Sequence, residues 1–109
     1  MLELSPKQIG ILEKIAVNGF AIVAFPLYAS AVGVRKGNCA ALLIPVPNRG
    51  MKLLGDPCWL VNGNLSVRVQ RNSVELFVWK KEEAEATRER LAEVSAFRKE
   101  IEDLLAPRA

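Results

Sequence analysis

Ile15-Ala16-Val17-Asn18-Gly19-Phe20-Ala21-Ile22-Val23-Ala24-Phe25-Pro26-Leu27-Tyr28-Ala29-Ser30-Ala31-Val32-Gly33-Val34 is a run of twenty residues without a charge, flanked by Lys14 and Arg35. A run of that length reads as a membrane span, a signal sequence or the first buried strands of a sheet. The residues just before it decide among the three. Leu4-Ser5-Pro6-Lys7-Gln8-Ile9 carries the start signals of a helix: Ser5 as N-cap, Pro6 at the first helical position and Gln8 at N3. A serine oxygen there takes an orphan backbone N–H, and the glutamine amide reaches back to the cap. Leu4 and Ile9 occupy the two positions of a hydrophobic staple. Ile9, Leu12, Ile15 and Ala16 mark one helical face. Asn18-Gly19 ends the helix, with Gly19 suited to a left-handed C′ position and Phe20 to the contact that follows it.

The run is therefore split. Its remainder, Phe20–Val34, is too short to cross a bilayer as a helix and is bent by Pro26. Ala29-Ser30-Ala31 has the form of a signal cleavage site, but Glu3 and Glu13 deny it a basic leader. The reading that remains is buried strand, with no membrane span and a cytoplasmic location. Phe20–Phe25 is an apolar strand, and Tyr28–Val34 continues extended. Arg35-Lys36-Gly37-Asn38 turns, and Cys39–Val46 returns. Alanines 21, 24, 29, 31, 40 and 41 imply close packing on this hairpin, by the chain's own helices or by a second copy.

Farther on, Pro45–Gly50 is a turn and Asp56-Pro57 an interruption. Cys58–Val61 is a short strand, and Asn62-Gly63-Asn64 a tight turn. Leu65–Arg71 and Val74–Lys80 form the clearest hairpin, its turn centred on Arg71-Asn72 or Asn72-Ser73. By period-2 alternation, Leu65, Val67, Val69, Val74, Leu76 and Val78 form its expected core face. Ser66, Arg68, Gln70, Glu75, Phe77 and Trp79 share the other. Either a helix covers the Phe77/Trp79 end of that face, or Phe77, Trp79 and Arg68 form an exposed patch for a partner or a stacked base. After Trp79 the composition changes: fifteen of the twenty-seven charges fall between Lys80 and Arg108. A helix is expected, starting near Glu82 or at a Thr87 cap after an extended lead-in, and ending before Pro107. Val94, Phe97, Ile101 and Leu104, with Leu91 and Leu105 beside them, form its apolar stripe.

Chemistry is sparsely represented. Histidine is absent, which removes the usual acid–base residue near neutral pH and the commonest metal ligand. Cys39 and Cys58 stand nineteen apart, outside redox and zinc spacings, and read as two reduced, buried thiols. No phosphate-binding or dinucleotide glycine loop occurs, so no cofactor, metal or catalytic residue is assigned. Asp56 beside Cys58 is the one pair that suggests a small enzyme, by tuning a thiol. Residues 35–79 hold Arg35, Lys36, Arg49, Lys52, Arg68 and Arg71 against Asp56 and Glu75, a net of +4. In a plain meander Arg35-Lys36 lies at the sheet end of Asn62-Gly63-Asn64, and Arg49 and Arg71 lie at the other. Either end suits an anion held by arginine forks.

These readings converge on a single α+β domain over residues 1–109. It has an N-terminal helix, about five antiparallel strands in a meander-like sheet, and a C-terminal amphipathic helix packed on the sheet. In element order alone it resembles pleckstrin-like and other sheet-plus-helix modules, which implies an architecture and no function. The expected function is non-catalytic: a protein-interaction module that self-associates, through the alanine-rich hairpin or the Phe77/Trp79 face. The alternative is an anion-binding module for nucleic acid or an anionic surface, using the loop arginines Arg49 and Arg71.

Overall fold

Helix α1 (Pro6–Val17) starts and stops where its local signals place it. The Ser5 oxygen accepts from the Gln8 N–H at 3.2 Å, and Ser5 N–H donates to Gln8 Oε1 at 2.9 Å, completing the capping box. At the other end Gly19 has φ of 93°, its N–H donates to the Ala16 carbonyl and Phe20 N–H donates to that of Ile15. Those two bonds are the Schellman pattern, which consumes carbonyls the helix leaves unpaired. The buried stripe is rotated from the expected one. Gln8, Ile11, Leu12 and Ile15 turn inward, while Ile9 and Ala16 are exposed. Gln8 goes inside because its amide finds backbone partners there, as described below.

The computed structural model describes residues 3–25, 28 and 30–105. Pro26, Leu27 and Ala29, and with them the expected break at Pro26, lie outside these, as does Pro107. Strands β1 (Ala21–Val23), β2 (Val32–Lys36), β3 (Cys39–Pro45) and β4 (Met51–Trp59) form an antiparallel sheet in sequence order. A second antiparallel sheet holds β5 (Val67–Arg71), β6 (Val74–Trp79) and β7 (Glu82–Glu85). Helix α2 (Arg88–Leu105) follows. The class is α+β, with seven strands in two sheets among the described residues where about five in one were expected.

Two local features depart from the expectation. Asp56-Pro57 does not end a strand; it is absorbed within β4. Ala40 pairs with Cys58 and Leu42 with Leu54, so Gly55, Asp56 and Pro57 oppose the single residue Ala41. A bulge of this kind accommodates a proline, which lacks the N–H for the ladder. The second is a turn at Lys80-Lys81, where Lys80 adopts φ of 55°. It folds Glu82–Glu85 back on β6, with Trp79 opposite Glu82. Helix α2 then begins from Thr87, whose hydroxyl accepts the Arg90 N–H at 3.2 Å. The β5–β6 turn centres on Asn72-Ser73, both at positive φ.

Phe20 and Phe97 meet edge to face at 5.5 Å between ring centroids. Around them pack Ile15, Val34, Ala41, Leu43, Val94 and Ile101. Lys36 seals one margin: its ammonium lies 2.8 Å from Glu100 of α2, donates to the Asn18 carbonyl at 3.2 Å and sits over the Phe20 ring. Strand β3 is buried on both faces from Cys39 to Leu43, so this strand of the alanine-rich hairpin finds its cover within the chain, whereas Ala21, Ile22 and Ala24 are exposed. Phe25 supplies part of that cover over Gly33, where an added Cβ would lie 2.5 Å from the ring and 2.6 Å from the Val23 carbonyl oxygen. Gly33→Ala is therefore expected to lower stability by about 1–3 kcal/mol, read from a denaturant midpoint. Gly10→Ala in α1, where a Cβ meets nothing within 4 Å, raises it by up to about 1 kcal/mol.

Candidate functional site

The buried side-chain amide of Gln8 organises one end of the molecule. Its Oε1 is occupied by the Ser5 N–H, so its Nε2 points outward from α1 into the turn between β3 and β4. There it donates to the carbonyls of Val46, Arg49 and Gly50 at 3.1, 3.3 and 3.3 Å. The turn closes on itself through Val46 N–H to the Gly50 carbonyl, at 2.9 Å. Ile11 packs on Gly50 so closely that a Cβ there would be 2.7 Å from its δ-methyl. One helix and one turn are thus locked side by side.

Between them and the end of α2 lies a groove of about 820 Å³. Ile11, Val46, Gly50, Met51, Leu104 and Leu105 make its apolar floor. Its charged lining is of one sign: Lys7 and Lys14 from α1, Arg49 and Lys52 from the turn and the start of β4. Among the described residues none of these four has a carboxylate within 4.0 Å, whereas Lys36, Arg68, Arg71 and Arg98 all do. No acidic side chain in the first turn of α1 offsets the positive end of its dipole. A floor of this kind with cations on its rim attracts an anion that also brings apolar surface.

Of the residues singled out from sequence, only Arg49 lines this groove. Arg71 lies in the other sheet and pairs with Glu83 at 2.9 Å. Arg68 pairs with Glu75 at 3.3 Å. Phe77 is 2% exposed and belongs to the core. Trp79 is half-buried, with the Lys80 ammonium 4.8 Å from its ring centroid. The exposed aromatic–arginine patch is therefore not formed, and Arg49 and Arg71 do not meet at one sheet end. Lys7 and Lys14 are the contributors that sequence reading missed, and Lys52 entered it only within the basic bias of residues 35–79. The seven-residue spacing of Lys7 and Lys14 on one helical face was the available signal.

The face partition of the β5–β6 hairpin is as expected, with Arg68 opposite Phe77 and Val69 opposite Leu76. Its orientation is reversed. Phe77 turns inward, while Val67 and Val74 are 64% and 41% exposed and Val69, Leu76 and Val78 are half-buried. Arg71 and Glu83 sit on this outward face in β5 and β7, so their ion pair crosses over β6.

A second cleft, of about 600 Å³, lies between β4, the second sheet and α2. It gathers Asp56, Cys58, Ser66, Arg68, Ser95 and Arg98 over Phe77. Asp56 is bound to Arg98 at 2.7 Å, which occupies both. Burial pushes the Cys58 thiol up, against weaker opposition from the Ser66 N–H, 3.5 Å from Sγ. A protonated thiol is a poor nucleophile. Cys39, which is also free, is pushed up to about 11, by burial first and then by Glu93 and Cys58. Its unfolded value is near 9, so the stability it contributes is intact below pH 9 and declines as pH rises toward 11. A denaturation series across that window is expected to show the loss, and Cys39→Ala to reduce it.

No family model, curated protein or solved structure matches this chain. Among the described residues no helix is long and apolar enough to cross a membrane. Nor do three or more Cys, Asp or Glu residues cluster there in a way that would hold a metal ion.

Proposed function

We propose that this chain is a non-catalytic, cytoplasmic protein-interaction module whose groove beside α1 receives an anionic partner. The observation that carries this reading is the set of four cations, Lys7, Lys14, Arg49 and Lys52, around an apolar floor without a neutralising carboxylate among the described residues. Uncompensated charge repels itself and lowers stability, so its concentration on one groove favours a role in recognition. Among the described residues the groove has no aromatic lining, which disfavours stacked bases and hence nucleic acid. The two free cysteines accord with a reducing compartment.

Poly-L-glutamate is the direct probe. Binding at low salt is expected, weakening as salt screens the exposed charges. Arg49→Glu with Lys52→Glu abolishes it, and Arg68→Glu with Arg71→Glu leaves it intact. Equal effects of the two double variants, or no binding by the parent chain, would refute the reading.

Self-association remains a second reading, and its favoured surface changes. The outward face of Val67, Val69, Val74, Leu76 and Val78 is an aliphatic surface left open, in place of the Phe77/Trp79 face. A solution mass above 12.0 kDa that persists in high salt and falls on Val67→Thr with Val74→Thr supports it.

A further inference from the structure

Resting on the reading of the groove as an anion site, we infer that its occupant is a short acidic amphipathic helix of a partner protein, lying alongside α1. The spacing of the cations carries this step. Lys7 and Lys14 both line the groove and are seven residues apart on α1. Seven residues advance a helix by about 10.5 Å and leave the two side chains within about 20° of the same direction. A second helix packed along the first repeats that interval: carboxylates seven residues apart on it meet both lysines together. An extended strand does not, because same-face residues recur at about 7 and 14 Å.

The floor sets the rest of the pattern. Ile11 lies between the two lysines in sequence and, with Val46, Met51, Leu104 and Leu105, lines the groove. Arg49 and Lys52 stand on the β3–β4 side. An occupant must therefore carry an aliphatic stripe bordered by acids on both sides. This is the helix-in-groove mode of recognition, read as an apolar stripe at three–four spacing. Charge complementarity of the rim fixes register and orientation, and burial of the stripe supplies affinity.

The test uses the intact chain and a designed helical peptide with a leucine stripe and two glutamates seven residues apart beside it. Binding is followed by fluorescence anisotropy at low salt. The peptide is expected to bind, and its Gln counterpart to bind about tenfold more weakly. Lys7→Glu with Lys14→Glu, checked for an unchanged thermal midpoint, is expected to lose the glutamate peptide and to gain a counterpart carrying lysines at those two positions. That exchange would identify the pairing directly. Equal binding of a peptide whose glutamates are five apart would overturn the helical register. Preference for vesicles of anionic phospholipid over the peptide would overturn the choice of partner. If poly-L-glutamate binds and the amphipathic peptide binds no tighter, this inference fails and the anion site stands; if neither binds, both fail.

Discussion

Gln8→Glu is expected to lower stability by about 3 kcal/mol at pH 7 and to return most of it on acidification. The substitution is nearly isosteric and keeps the acceptor that the Ser5 N–H uses. What it removes is the Nε2 donor to Val46, Arg49 and Gly50, setting a carboxylate oxygen against three carbonyls. At 5% exposure little water reaches the group to compensate. The penalty has a ceiling, since a glutamate of ordinary pKa is neutralised at pH 7 for about 3.7 kcal/mol. The folded state therefore raises the pKa of this glutamate above its unfolded value and binds the proton more tightly. By linkage the deficit relative to the parent grows as pH rises from 4 to 7 and shrinks as it falls. Denaturant midpoints of both chains at pH 4.5 and 7 measure it. A deficit that does not change with pH would mean that the amide does not hold the turn as described. Groove binding by the variant should weaken as well, because the same contact places Arg49.

Phe77→Ala is expected to cost about 3–5 kcal/mol, as loss of a buried phenyl ring does when its surroundings cannot close the gap. Phe77 is core on the cleft side, facing Leu91 and Val94 of α2. The five aliphatic residues on the opposite face make the contrast. Val67→Thr and Val74→Thr keep shape and strand preference, and each is expected to change stability by less than about 0.5 kcal/mol, because both side chains are substantially in water. A thermal or chemical denaturation series over the three variants orders them. If the threonine variants proved as damaging as Phe77→Ala, the hairpin would be packed with its other face inward.

These three variants also show where sequence reading stops. Alternation divides the hairpin into two faces, and both faces here are apolar in part: six aliphatic residues on one, Leu65 included, and two aromatics on the other. Which face turns inward depends on where α2 lies, and that is a tertiary fact. The larger area of the aromatic rings prevails over the greater number of valines. The boundaries of α1 were legible because Ser5, Pro6, Gln8, Gly19 and Phe20 act within a few residues of one another. β7 was legible only as one of two readings, an extended lead-in to a Thr87 cap, since Glu82–Glu85 has helix-favouring composition and becomes a strand only by pairing with β6. The groove was least legible of all. Its cations come from positions 7, 14, 49 and 52, so no local cluster exists in the chain. The amide that brings the two pairs together was recognised only as a helix cap.

The bulge in β4 has a further consequence. Two open sheets present four edges, each a row of unpaired backbone groups able to recruit another chain. Here β4 is broken by Gly55-Asp56-Pro57, and the opposite edge, β1, is only three residues long. The edges of the second sheet carry Arg68 and Arg71 on β5 and Glu82, Glu83 and Glu85 on β7. Backbone-templated growth into ribbons is thereby discouraged at every margin. Whatever joins this molecule has to recognise its side chains, and a single proline tucked into a ladder helps to keep that choice in force.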